Sequence, residues 1–165
     1  MRIALDARWI FPHISGVGTY TLELLRQLAL LDRQNQYLLI FNDESVLSRV
    51  MQLPEIVKAS NISAVRVPYG LFSLSNQILM PGFLRRHKLD IYHSPNYLIP
   101  ILSFPRHLGG AIRCVVTLHD VIPLAIPNHA PKSRKSRVFP LYRRLMIEIG
   151  ARAHAIITVS QSSRQ

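Results

Sequence analysis

Residues 113–118, Arg-Cys-Val-Val-Thr-Leu, and residues 155–159, Ala-Ile-Ile-Thr-Val, decide the fold class. Each is a short apolar run, rich in β-branched side chains, without the polar–apolar alternation of a half-wet strand. Such runs read as strands buried on both faces, which implies a parallel sheet covered by helices. Residues 134–153 lie between them with helical periodicity, Pro140 falling in an early turn or at a kink. The rest of the chain repeats this strand–helix–strand unit. Toward the N-terminus the pattern predicts strands at Asp90–His93, Ala64–Val67, Tyr37–Phe41 and Arg2–Ala7. Helices are expected over 17–31, 44–52 and 73–88, the last broken or shifted near Pro81 and Gly82. In 17–31, apolar residues recur at Val17, Tyr20, Leu24, Leu28 and Leu31, with Ser15 and Gly16 where the helix would be capped. The expected architecture is one doubly wound α/β domain, a mostly parallel sheet with helices on both faces.

Composition narrows the class further. The 165 residues are 48% hydrophobic and 18% charged, which suits a single core and is too apolar for disorder. No stretch approaches the roughly 18 to 20 apolar residues that span a bilayer. The N-terminal MRIALDARWIF is interrupted by Asp6 and does not read as a signal peptide. The single cysteine, Cys114, excludes an internal disulfide framework, fits core packing and suits a reducing, cytoplasmic compartment. The net charge of +11 points to an anionic partner. It is regional: residues 1–70 carry 7 basic and 6 acidic side chains, residues 71–165 carry 13 and 3. Arg85, Arg86 and Lys88 form one cluster, and Lys132, Arg134, Lys135, Arg137, Arg143 and Arg144 a second. Either is a solvated face or a patch for phosphates or anionic lipid headgroups. Phe139, Leu141, Tyr142, Leu145 and Met146 interleave with the second cluster, a mixture that fits a helix resting on a membrane and equally a helix packed on a core.

Ligands of doubly wound domains bind at the carboxyl ends of the strands, so the residues that follow strands carry the functional reading. Three segments qualify. His13-Ile14-Ser15-Gly16-Val17-Gly18-Thr19 joins the first strand to the first helix. Its glycines admit a ligand close to the backbone, and the helix N-terminus offers unpaired N–H groups to an anion. The motif lacks the third glycine of a dinucleotide fingerprint and lies nine residues beyond the strand, which argues against a nicotinamide site despite Asp43 at the end of the second strand. His93-Ser94-Pro95-Asn96-Tyr97 follows the fourth strand, and His119-Asp120 follows the fifth. An imidazole there can bind or polarise a sugar hydroxyl or take part in proton transfer, while its neighbour on extended backbone points to the other face. The seven histidines show no metal-ligand spacing, and no G-x-S-x-G elbow or phosphate-loop lysine is present.

Taken in order, MRIALDAR, SGVGTYTLELLRQL, DIYHSPNYLIP, VVTLHDVIPL and ARAHAIITVSQSSRQ resemble the N-terminal domain of the family 4 glycosyltransferases. The resemblance covers nearly the whole chain, and mannosyl- and rhamnosyl-type members are most similar. It implies a Rossmann-like domain that faces a second such domain across a cleft. It further implies retaining transfer of a hexose from a nucleotide sugar to a polysaccharide or lipid-linked acceptor, without a bound metal. In that reading Gly16, Val17 and Gly18 approach the donor phosphates and transferred sugar. His119 meets the transferred sugar, with Asp120 beside it, and His93, Ser94 and Asn96 are acceptor contacts.

The resemblance also implies what would lie beyond residue 165: the nucleotide-sugar-binding domain, with its paired carboxylates and phosphate-clamping cations. Residues 1–165 are therefore expected to be the acceptor-side half, with little or no activity alone, because positioning supplies much of the rate. A partner domain or chain, a glycan or glycolipid acceptor and an anionic membrane surface at the inner face of the cell are the expected partners. No nucleic acid is expected. A basic nucleic-acid-binding module and a nicotinamide-dependent enzyme stand as alternatives.

Overall fold

The computed structural model describes residues 1–13, 15–119 and 139–160. Strands β1 (Arg2–Asp6), β2 (Gln36–Phe41), β3 (Ile62–Arg66), β4 (Ile91–Ser94), β5 (Arg113–Leu118) and β6 (Ala155–Thr158) form one sheet in the order β3-β2-β1-β4-β5-β6. Every pairing is parallel. The strand order reverses between β1 and β4, the switch point where doubly wound sheets open a crevice at their carboxyl ends. Helices α1 (Gly16–Leu31), α2 (Glu44–Met51) and α3 (Pro54–Val57) connect β1, β2 and β3, whereas α4 (Leu74–Arg86) and α5 (Phe139–Gly150) serve the other half.

Two buried clusters follow from the period-2 alternation of the strands. Leu25 and Ala29 of α1, Val46 and Val50 of α2 and Ile56 of α3 pack with Leu5 and Leu39 on one face. Met80, Phe83 and Leu84 of α4 and Met146 and Ile149 of α5 pack with Ala4, Tyr92, Cys114, Val116 and Leu118 on the other. The sheet is therefore a doubly wound, Rossmann-like α/β layer with helices on both faces, as the sequence pattern implies. Cys114 is fully buried among these side chains, and that burial pushes its thiol up to about 12.

Several local expectations change. The helix expected to break near Pro81 runs through it from Leu74 to Arg86. Proline removes one backbone bond at a cost of about 3 kcal/mol, while Met80, Phe83 and Leu84 bury their side chains on either side of it. Each such side chain is worth about 1.5–3 kcal/mol, so packing wins. The helix expected over 44–52 is α2, Glu44–Met51, and a further short helix that was not expected, α3, follows it, started by Pro54 at its first position. β1 ends at Asp6, and Ala7–Trp9 turn instead as a 3-10 helix whose first N–H groups include one bonded to the Asp6 carboxylate. Residues 155–159 do not form a strand buried on both faces: β6 spans Ala155–Thr158, Ala155, Ile156 and Ile157 are exposed, and among the described residues it pairs with β5 alone. Residues 134–138 of the expected last helix lie outside the described residues. Pro140 occupies the second position of α5, and Tyr142, Leu145 and Met146 pack into the core.

Candidate functional site

At the carboxyl end of β5 the alternation sends Cys114, Val116 and Leu118 to the α4–α5 face. Thr117 points the other way and is fully buried. Its hydroxyl lies 3.0 Å from Nε2 of His93 on β4 and 3.4 Å from the phenol oxygen of Tyr20 on α1. Burial lowers the His93 pKa to about 4, so the ring is neutral at pH 7. Two residues past Thr117, His119 sits with Nε2 2.8 Å from the Pro95 carbonyl oxygen. A carbonyl only accepts, so Nε2 carries the hydrogen, and a neutral ring then presents Nδ1 as an acceptor. The Tyr20 ring meets His119 edge-on at 4.7 Å between centroids. Three elements that are distant in sequence thus converge: the first turns of α1, the loop after β4 and the residue after β5.

Helix α1 supplies the second part. Ser15 caps it, its hydroxyl accepting from the Gly18 N–H at 3.0 Å. The first intrahelical bond runs from the Thr19 N–H to the Ser15 carbonyl, leaving Gly16 and Val17 N–H groups in the first turn without a helical acceptor. The two glycines differ. A Cβ on Gly18 would stand 2.8 Å from the Ser15 hydroxyl and 3.1 Å from the Trp9 carbonyl, so Gly18 is needed for α1 to approach the 7–9 turn. A Cβ on Gly16 would meet nothing within 4 Å. Beside the N-terminus an open cavity of about 220 Å³ is lined by Phe11, His13, Ser15, Thr19 and Arg49. The helix end and the Arg49 guanidinium make it a place for negative charge.

The other expected site residues fall elsewhere. Ser94 is fully buried and its hydroxyl donates to the Leu98 carbonyl at 2.8 Å. Asn96 is buried and its side-chain oxygen accepts from the Tyr97 N–H at 2.8 Å. Both fold the loop after β4, whereas His93 joins the Thr117 cluster. Arg143 and Arg144 are exposed on α5. Asp120, Lys132, Arg134, Lys135 and Arg137 lie outside the described residues. Asp43 caps α2, accepting from the Val46 N–H at 3.0 Å and the Ser45 hydroxyl at 2.6 Å. Among the described residues no group of His, Cys, Asp and Glu is placed to hold a metal ion, and no helix is long and apolar enough to cross a membrane.

Sequence reading missed Tyr20, Thr117 and the trio Asp6, Arg8 and Tyr92. Tyr20 was visible only as one apolar step of a helical stripe, and its hydroxyl was the signal. The trio forms at the end of β1: Asp6 accepts from Arg8 Nε at 2.8 Å and from the terminal guanidinium nitrogen at 2.7 Å, and the Tyr92 phenol also donates to it. Burial alone would lower the Arg8 pKa, but the charge of Asp6 and its hydrogen bonds outweigh this, and the net shift is upward.

A family model described as Glycosyltransferase Family 4 matches residues 14–165. The chain is 28% identical, over 176 aligned positions, to a protein of Escherichia coli named O-antigen chain mannosyltransferase B. That alignment takes in 99% of this chain and 42% of the E. coli protein, so the chain spans less than half the length of this relative.

Proposed function

The chain belongs to glycosyltransferase family 4, and from that premise we propose that it forms the acceptor-side half of a sugar-transfer cleft. The observation that carries the reading is the convergence of the α1 N-terminus and His119 through Tyr20, at the carboxyl end of the sheet. The substrate class is a nucleotide sugar, a mannosyl donor by analogy with the E. coli relative, together with a polysaccharide or lipid-linked acceptor. The reaction needs no metal in this reading, and the setting is the cytoplasm.

The chemistry follows from the donors and acceptors present. Breaking the bond to the anomeric carbon places negative charge on the departing diphosphate. The first-turn N–H groups of Gly16 and Val17, at the positive end of α1, are fixed donors for that charge. Gly16 leaves open space above the turn, so phosphate oxygens can come close to the backbone. His119, with Nε2 spent on Pro95, offers Nδ1 to a hydroxyl of the transferred sugar and so orients the ring. His93 and Thr117 hold the loop after β4 against β5, with Ser94 and Asn96 shaping that loop as a wall toward the acceptor. A nicotinamide site has less support: the Asp43 carboxylate is committed to capping α2.

Titration of the chain with GDP-mannose and UDP-glucose, followed by amide and imidazole NMR, tests the reading. The expected result is weak binding that perturbs Gly16, Val17 and His119 and no sugar transfer to a lipid-linked acceptor. Perturbation elsewhere only, or robust turnover by the chain alone, overturns it.

A further inference from the structure

Tyr20 stands between the α1 N-terminus and His119. Its place follows from the helical period: it lies four residues after Gly16 and three after Val17, so the three share one side of the first turns. The other sides of α1 are taken. Gly18, Thr21 and Leu25 are buried against the domain. Ser15, Thr19 and Leu22 line the cavity that Phe11 and His13 close. Two contacts hold the Tyr20 side chain. Its phenol oxygen lies 3.4 Å from Thr117 Oγ1, and its ring stands at 85° to the His119 ring with centroids 4.7 Å apart. Thr117 is fully buried and lies 3.0 Å from Nε2 of His93. The His93 ring is neutral at pH 7, so Nε2 serves as donor or acceptor. The Thr117 hydroxyl, with one hydrogen and two lone pairs, satisfies His93 and Tyr20 in either order. The phenol hydroxyl is thus anchored to the sheet, and the ring is left as a fixed wall beside His119.

We propose that Tyr20 is a positioning residue: it braces the His119 imidazole in the orientation that offers Nδ1 to the transferred sugar. His119 has one other support, the bond from Nε2 to the Pro95 carbonyl at 2.8 Å. A bond at one corner fixes that corner and leaves the ring free to swing about it. The perpendicular Tyr20 ring removes the swing on one side, and an edge-to-face pair of this kind favours the braced orientation by about two- to twelvefold. The two supports come from different parts of the fold. Pro95 belongs to the loop after β4, which the Ser94 hydroxyl closes on the Leu98 carbonyl, and Tyr20 belongs to α1. The side of α1 that carries Tyr20 also carries Gly16, whose open space admits phosphate oxygens, so a donor held there lies next to the braced ring. The role of His119 toward the sugar rests on the transferase reading, whereas the brace rests on the Tyr20, Thr117 and His119 geometry alone.

Imidazole NMR and a double-mutant cycle test it on the chain as it is. In the ligand-free chain, Tyr20→Leu is expected to move and broaden the His119 imidazole resonances. Tyr20→Phe keeps the ring and is expected to leave them close to the parent's. Tyr20 is half-buried and leucine preserves the apolar stripe of α1, so the fold survives, and circular dichroism checks that. With ligand, Tyr20→Leu is expected to lower the affinity for GDP-mannose about two- to twelvefold. The affinity for GDP is expected to stay the same, because GDP carries no transferred sugar for His119 to hold. In a His119→Ala background, Tyr20→Leu is expected to cost nothing further. A merely structural Tyr20 gives the opposite pattern: equal losses for GDP and GDP-mannose, and the same loss with or without His119. Either of those results, or unchanged His119 resonances in Tyr20→Leu, overturns the proposal. If the parent chain binds neither nucleotide, the transferase reading falls, and the ligand-free imidazole spectrum alone decides whether Tyr20 braces His119.

Discussion

Two polar clusters lie at the carboxyl end of the sheet, one at the tip of β1 and one across the tips of β4 and β5. In the first, Asp6, Arg8, Tyr92 and the Tyr69 carbonyl bond one another, and the Asp6 and Arg8 side chains are fully shielded from water. In the second, Thr117 and His93 are tied together, but among the described residues only one ring nitrogen of His119 has a hydrogen-bond partner, and Tyr20 is only half-buried. The difference separates two uses of buried polarity. A saturated cluster fixes the backbone and has nothing left to offer a ligand. An unsaturated one keeps a hydrogen-bonding group oriented and available.

The sharpest way to break this comparison is to unbalance the saturated cluster. Asp6→Asn leaves the Arg8 guanidinium buried without its counter-charge, and removing one partner of such a pair costs about 3–5 kcal/mol. Urea denaturation measures it. Asp6→Leu/Arg8→Met, which removes both charges, is expected to recover a large part of that loss. A single variant within about 1 kcal/mol of the parent would show that water or another group already shares the Arg8 charge.

The second cluster carries a pH signature through His93. His93 titrates near 4 in the folded chain, below the ordinary value near 6.5. Between those values the unfolded chain binds the proton and the folded chain does not. Stability from this residue is therefore complete above about pH 6.5 and falls as the pH drops toward 4, by on the order of 3 kcal/mol in all. Denaturant midpoints at pH 7 and pH 5 measure the slope, and His93→Gln is expected to flatten it while keeping a donor for Thr117. An unchanged slope in that variant would assign the acid sensitivity elsewhere.

Legibility in the sequence tracks the range of the interactions. β5 and α1 were readable because their patterns are local: a β-branched run in one, and apolar residues every three or four positions behind Ser15 in the other. The continuity of α4 through Pro81 was not, because it is decided by what Met80 and Leu84 pack against. The same holds at the site. His119 and the glycine loop stood out by their place after strands. Tyr20 and Thr117 did not, since their roles arise from a meeting of residues 97 positions apart. Asp6 and Arg8 are charged and two residues apart, yet their third partner, Tyr92, comes from another strand. The place of Ser94 among the acceptor contacts comes from the resemblance and from the polarity of its loop, and polarity does not tell a hydroxyl that faces a ligand from one that closes a turn on Leu98.

The finest test separates two glycines two residues apart. In Gly18→Ala the new methyl group collides with the Ser15 hydroxyl and the Trp9 carbonyl. The cap has to move, and the expected loss is about 1–3 kcal/mol from the cap and the local strain together. In Gly16→Ala nothing is struck, and the position is already helical. Replacing a helical glycine where alanine fits stabilises by about 0.4–1 kcal/mol, through the reduced freedom of the unfolded chain. Yet the methyl group would stand over the first-turn N–H groups, where phosphate oxygens need to approach. Gly16→Ala is thus expected to melt slightly above the parent while losing the amide shifts that GDP-mannose induces. Thermal melts and the NMR titration read the two effects independently. A Gly16→Ala chain that binds the nucleotide sugar as the parent does would move the anion site away from the α1 N-terminus, and the glycine there would be a matter of folding alone.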